Sequence, residues 1–186
     1  MTLTVNFYGG PGAGKSTLTA GVFYYLKLMG ANCEMAREYA KDLVWEGRVK
    51  LLTEARQSYI FSKQLKRLQD VAGQVDVVLT DSPLLLSAIY SRNPVMRMLV
   101  KEHHDTFVNM NYVVRREKDY QPIGRLQSEE EAQELDVKIE TLLSDLGETF
   151  ETVSVFNAPT IAARIMSVLE EGVWNGIPVR TKEGHD

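Results

Sequence analysis

The sequence predicts an α/β protein, a parallel doubly wound sheet with helices on both faces, carried by one domain over residues 1–172. Three observations lead there. Short β-prone runs alternate along the chain with segments of helical periodicity. The 186 residues fit one ordinary domain, which typically has ~100–200. The composition, 44% hydrophobic and 25% charged, is globular and excludes a disordered or collagen-like chain.

Each element has its own signal. A first strand is expected over residues 4–8, followed by a Gly/Pro loop at 9–14. Residues 16–29 follow as a helix, because Leu18, Val22, Tyr25, Leu26 and Met29 recur at helical spacing and Gly30 stops it. Residues 33–38 form a second strand and 40–45 a helical turn, with Gly47 as punctuation. Thr53 is a suitable N-cap for a longer helix reaching residue 72, with Gly73 just beyond. The run VDVVLT at 75–80 is the clearest buried strand. A helix at 94–104 and a strand at 107–114 come next, and SEEE at 128–131 matches a capping box for a helix reaching residue 146. Residues 150–156 supply the last strand and 159–171 the last helix, while 173–186 are expected to form a loosely ordered tail. No internal repeat, low-complexity tract or inter-domain linker interrupts this alternation.

Charge and cysteine content narrow the setting. The 21 Lys/Arg against 25 Asp/Glu give a net charge of −4, which argues against a generic basic nucleic-acid coat. The charges are nevertheless divided. Residues 1–125 carry 17 basic against 12 acidic side chains, and residues 126–186 carry 4 against 13. A local cationic site for a polyanion is therefore compatible with the acidic total. One cysteine, Cys33, excludes an internal disulfide or Cys-rich zinc site and suits a reducing compartment. No run approaches the ~20 apolar residues of a membrane span, and the first residues lack a secretory n-region. A cytoplasmic protein without membrane contact is expected.

GGPGAGKS at residues 9–16 fits G-x-x-x-x-G-K-[ST] at every fixed position. The glycines let backbone wrap closely around a polyphosphate, with amides aimed inward from Gly10, Gly12, Ala13 and Gly14 and the Pro11 turn between them. The following helix turns its positive dipole end toward the same anion. Lys15 reaches the β- and γ-phosphates in this reading, the Ser16 hydroxyl completes a Mg²⁺ shell, and Thr17 meets the α-phosphate. A chance match in this length is on the order of 1% or less. ATP and Mg²⁺ are the implied cofactors.

Such a loop needs an acid nearby, and Asp81 closes the buried strand at 75–80. It can hold the metal or accept a proton; capping the next helix is the plainer alternative. Asp76 begins the same strand and belongs at the opposite edge. Glu38 ends the second strand beside Arg37, at the strand ends that surround the ligand crevice of such sheets. There Glu38 can bind a hydroxyl or act as general base and Arg37 can meet a phosphate, against the alternative of a solvated ion pair. Residues 115–125 hold Arg115, Arg116 and Arg125 between a strand and the capped helix, with Pro122 and Gly124 as hinges. This composition suggests a mobile Arg-rich lid over about 115–128, or else a solvated loop. His103 and His104 are adjacent and diverge on a helix, a poor metal pair. Core packing is expected for most of Tyr24, Tyr25, Trp45, Tyr59 and Phe61.

From residue 9 to about 159 the pattern resembles the P-loop nucleoside and nucleotide kinases. It looks closest to their thymidylate-kinase-like, deoxynucleoside-kinase-like and nicotinamide-riboside-kinase-like branch, some members of which bacteriophages encode. The resemblance implies a three-layer P-loop NTPase fold with a five-stranded parallel sheet of order 2-3-1-4-5. It implies that Glu38 is the catalytic base and that Gln57, in RQSY at 56–59, pairs with the acceptor's base. The run 115–127 is similar to the lid of that branch, and Asn157-Ala158-Pro159 to its adenine-packing loop. Asp81-Ser82-Pro83 departs from the family's acid–Arg motif. The implied reaction moves the γ-phosphoryl of ATP to a hydroxyl of a nucleoside-like acceptor, free or as 5-hydroxymethyluracil in phage DNA. Relatives often form homodimers, and a phage-encoded member would work in the host cytoplasm. Two other readings compete: an NTPase or regulatory module that hydrolyses ATP without an acceptor, and a nucleotide-binding protein without catalysis.

Overall fold

The computed structural model describes residues 1–117 and 128–181. Its centre is β1 (Leu3–Tyr8), six residues buried throughout. Then come α1 (Lys15–Leu28), β2 (Cys33–Met35), α2 (Tyr39–Trp45), two short 3₁₀ turns, α3 (Gln57–Val71) and β3 (Val77–Thr80). The chain continues through α4 (Leu86–Ile89), α5 (Pro94–His104), β4 (Val108–Val114), α6 (Glu129–Asp145), β5 (Glu151–Val153) and α7 (Ala158–Glu171). The five strands form a parallel sheet of order β2-β3-β1-β4-β5. The expected α/β class and sheet order are both present.

Alternation of side chains along the strands builds two cores. Leu3, Val5 and Phe7 face α1 and α7, where they meet Leu18, Val22, Leu26, Ile161 and Ile165. Tyr8, Val78 and Val113 face α3, α5 and α6, against Phe61, Leu68, Val100, Ile139 and Leu143. On the second face asparagines bond across strands, whereas the buried hydroxyls of Thr4 and Tyr8 have no partner among the described residues. Asn6 donates to the Asn109 and Asn111 side-chain oxygens at 2.9 and 3.0 Å, and Asn111 donates to Glu148 at 3.1 Å. Cys33 is buried on β2, and burial pushes its thiol up to about 11.

Several local expectations are realised and several are corrected. The capping box at Ser128 makes both its bonds, with Glu131 and Ser128 donating to each other's side chains. Helix α5 spans the expected residues, opened by Asn93, which accepts from the Val95 amide. Strand β2 is shorter than expected, because after Ala36 the chain turns toward α2. Thr53 does not cap the long helix: it precedes a 3₁₀ turn, makes no capping bond, and α3 starts at Gln57. The expectation of a loosely ordered tail fails for the segment just past α7. There β6 (Val173–Trp174) and β7 (Ile177–Pro178) form a hairpin, Val179 is buried, and Trp174 donates to the Asn109 carbonyl at 2.8 Å. Among the aromatics, Phe61 is buried and Tyr25 packs on the core, whereas Tyr24, Trp45 and Tyr59 are exposed. No helix among the described residues is long and apolar enough to cross a membrane.

Helices α1 and α7 approach so closely at Gly21 that an added Cβ would lie 2.8 Å from the Ala158 Cβ. Helix propensity alone would make Gly21→Ala stabilising by ~1 kcal/mol. Because neither backbone can yield cheaply, the substitution is expected to destabilise instead, by about 1–3 kcal/mol. Urea denaturation of G21A, A158G and the double variant checks this, and strong positive coupling between the two sites is the expected result.

Candidate active site

In a parallel sheet every strand delivers its C-terminal end to the same edge, and the Gly-rich loop, Glu38, Asp81, Arg115 and Arg116 follow those ends. The turn between β1 and α1 carries the Gly-rich loop. Its backbone is left-handed at Gly12 (φ 83°) and Gly14 (φ 105°), where a side chain would be strained. Gly14 also lies against Val155, which follows β5. Lys15 begins α1 and folds its ammonium back over the loop, donating to the Gly9 and Gly10 carbonyls at 2.7 and 3.1 Å. Burial lowers the Lys15 pKa; Glu38, Asp81 and Asp136 oppose this shift and Arg116 adds to it.

Asp81 follows β3 and is buried. Its Oδ2 accepts from the Ser16 hydroxyl at 2.5 Å, while Oδ1 is buried with no hydrogen-bonding partner among the described residues. An orphaned carboxylate oxygen beside a serine hydroxyl is a donor set suited to a hard, oxygen-seeking cation such as Mg²⁺. The two strand ends bearing the acids are laced together. Thr80 Oγ1 donates to the Ala36 carbonyl at 2.8 Å and accepts from the Ser82 amide at 3.1 Å.

Glu38 occupies the position before α2 but makes no capping bond to it. Burial raises its pKa, Lys15 counters, and Asp81 adds to the rise. Tyr90, just past α4, is a neighbour that sequence reasoning missed: the residue is 39% exposed, and desolvation on its inner side together with the Glu38 charge pushes its phenol up to about 12. The wall beyond Glu38 is α3. Tyr39 donates from its amide to Gln64 Oε1 at 2.9 Å, its hydroxyl meets that of Tyr59 at 2.9 Å, and Arg67 stacks on its ring while bonding Asp42 and the Arg37 carbonyl. Gln57 lies two turns before Gln64 on the same face of α3 and is partly buried. Arg37 is exposed, and its guanidinium makes no ion pair among the described residues.

The remaining candidates are spread around the loop. Arg115 is exposed and lies 3.5 Å from Glu117. Arg116 points inward to Asp136 of α6 at 2.9 Å and to the Pro11 carbonyl at 3.0 Å. Arg125, and the expected lid over residues 118–127, lie outside the described residues. Asn157 opens α7, with its side-chain oxygen accepting from the Ser154 amide at 2.7 Å, and Ala158 is buried. Ser16 and Thr17 are exposed at the start of α1.

A left-handed glycine loop on a central parallel strand, a lysine-serine start to the next helix and an acid from the adjacent strand together define a P-loop NTPase of kinase-like topology. The chain belongs to the AAA domain family, whose model matches residues 4–158. No curated protein matches it in sequence. Among solved structures it is similar to the shikimate kinase of Acinetobacter baumannii in complex with shikimate. That likeness has 14% identity and a TM-score of 0.50, covers 92% of this chain and 94% of that one, and shows the shared fold.

If Ser16 and Asp81 hold the metal, Asp81→Asn should lower affinity for a fluorescent ATP analogue about 10–100-fold in the presence of Mg²⁺. Without Mg²⁺ the affinity should be little changed, because the amide oxygen still accepts from Ser16. Equal losses in both conditions would assign Asp81 to the loop's architecture alone.

Proposed function

We propose that the protein transfers the γ-phosphoryl group of ATP to a hydroxyl of a nucleoside-like acceptor. The observation that carries this reading is Glu38: an uncapped carboxylate with a raised pKa, electrostatically coupled to both Lys15 and Asp81 at one sheet edge. A carboxylate beside the phosphate loop that holds its proton more tightly than usual suits the general base of a phosphotransferase.

In this reading the loop amides and Lys15 hold the phosphates, and Lys15 exchanges its bonds to the Gly9 and Gly10 carbonyls for phosphate oxygens. Ser16 and Asp81 hold Mg²⁺, which when bound neutralises charge on the phosphate oxygens. Glu38 accepts the proton of the acceptor hydroxyl as its oxygen bonds to the γ-phosphorus and the bond to the β-phosphate bridging oxygen breaks. Burial strengthens Glu38 as a base by raising its affinity for that proton. Asp81 already shares its Oδ2 with Ser16, which favours giving it the metal and Glu38 the proton. Arg115 and Arg125 are the cations available for the transferring group, Asn157 and Ala158 the backing for adenine. Arg37, Gln57 and the Tyr39–Tyr59 pair form the acceptor side, whose rings stand 6.0 Å apart edge to face. That combination of a cation, an amide and aromatic faces suits a nucleoside, a nucleotide or a hydroxymethylated base in DNA.

Two measurements test the reading. Labelled ATP and Mg²⁺ are offered with nucleosides, mononucleotides, duplex DNA containing 5-hydroxymethyluracil, and shikimate. Label is expected on one of the nucleoside-bearing acceptors; label reaching only water would replace the kinase by an NTPase, and label on shikimate would change the acceptor class. The second concerns pH. Glu38 must be ionised to act, so the acid limb of kcat/KM should lie above the ordinary glutamate value of 4.5. A raised folded-state pKa means that the native protein binds the proton more tightly than the unfolded chain. The Glu38 contribution to stability therefore falls as pH rises from about 4.5 through the raised value. Glu38→Gln should then be at least as stable as the parent at pH 7 while losing ~10²–10⁴-fold in turnover.

A further inference from the structure

The phosphate-loop motif leaves its second position free, yet in this chain α6 restricts that position. A Cβ on Gly10 would lie 2.4 Å from the Ala132 carbonyl oxygen, 2.8 Å from Asp136 Oδ1 and 3.2 Å from Arg116 Nη2. At that approach Asp136 Oδ1 accepts from the Gly10 amide at 2.5 Å. The other carboxylate oxygen, Oδ2, accepts from Arg116 Nε at 3.0 Å and lies 2.9 Å from Arg116 Nη2. Arg116 in turn donates from Nη1 to the Pro11 carbonyl at 3.0 Å and from Nη2 to the Ala132 carbonyl at 3.4 Å. All three nitrogens of the guanidinium are thus engaged, and its side chain is 13% exposed. One aspartate joins the loop, the end of β4 and α6 through charge-assisted bonds in a sparsely hydrated place.

We propose that Asp136 is a positioning residue: through it, α6 sets the shape of the phosphate loop and fixes Arg116 beside it. The proposal rests on the nucleotide-binding reading of that loop but not on any acceptor. Without the carboxylate, the Gly10 amide loses its acceptor and Arg116 loses its counter-charge near Lys15, whose charge it already opposes. The loop then samples conformations that do not bind phosphate, and the apparent affinity for nucleotide drops by the fraction lost.

The test compares Asp136→Ala, Asp136→Asn, Gly10→Ala and Arg116→Gln with the parent in two readouts, each beside a melting curve. In titrations with a fluorescent ATP analogue and Mg²⁺, Asp136→Ala should raise Kd about tenfold, the scale of one lost charge-assisted bond. Asp136→Asn, which keeps an acceptor for Gly10 but not the charge for Arg116, should fall between. Gly10→Ala should reproduce the defect with Asp136 intact, and a double variant combining Asp136→Ala with Arg116→Gln should bind little more weakly than Asp136→Ala alone. In turnover the loss should appear in KM for ATP and not in KM for the acceptor. Hydrogen exchange of the amides at 12–16, read without nucleotide, should accelerate in Asp136→Ala. If that variant does not fold, Asp136→Asn and Gly10→Ala decide the matter by the same readouts. Unchanged exchange at 12–16 with a lowered melting temperature would reduce Asp136 to a stabilising contact. Tighter ATP binding in Asp136→Asn would make it a repelling anion, and either result overturns the proposal. A parent protein that binds no ATP would refute the proposed function, and the exchange readout would still decide the role of Asp136.

Discussion

Everything at the active edge depends on how closely three neighbours approach one short turn. Residues 9–14 must hold a backbone that presents amides to an anion, and an isolated chain would not hold it. The turn is pressed from the β4 side at Gly9, from β5 at Gly14 and from α6 at Gly10. Each approach is possible because a glycine stands there. The sheet supplies the rest: β1 lies between β3 and β4 in fixed register, so the loop leading to Lys15, Asp81 and Arg116 come together at one edge just past the ends of adjacent strands. Geometry that no single loop could maintain is thereby set by the two cores on either face of the sheet.

The charges at this edge differ in kind from those elsewhere. Pairs such as Lys66–Asp70 and Lys138–Glu134 are exposed i,i+4 contacts on helices, and pairs of that sort contribute little. Around the loop, burial lowers the pKa of Lys15 and raises that of Glu38, and neighbouring charges modify both shifts. Each acid there has a distinct surrounding. Asp81 shares one oxygen and leaves the other bare, Asp136 spends both on protein partners, and Glu38 spends none on its own helix. Those three states correspond to a metal ligand, a strut and a base, which is the division of labour proposed above.

How much of this could be read from the residues alone follows from how local each signal is. The phosphate loop, the Ser128 capping box and the Pro94 helix start are encoded within a few residues, and each was legible. So was the placing of Asp81 at a strand end, since a buried run and its next polar residue are contiguous; Glu38 instead stands three residues past β2, at the start of α2. Asp136 was not legible. It sits in an acidic helix where one more carboxylate carries no signal, and only the fold brings it across to Gly10. Tyr90 and Gln64 were hidden for the same reason. The capping role read for Thr53 failed because a 3₁₀ turn intervenes before α3, and the hairpin after α7 was obscured by Gly and Asn residues that read equally well as loop.

The lone cysteine has a practical meaning. Cys33 is enclosed beneath α1, and a thiol pushed to about 11 offers almost no thiolate near neutrality. The native chain is therefore a silent background for thiol chemistry. A single cysteine introduced at exposed Trp45 or Phe156 would take a reporter dye by itself, and movements at the end of α2 or past β5 on adding nucleotide would become visible one position at a time.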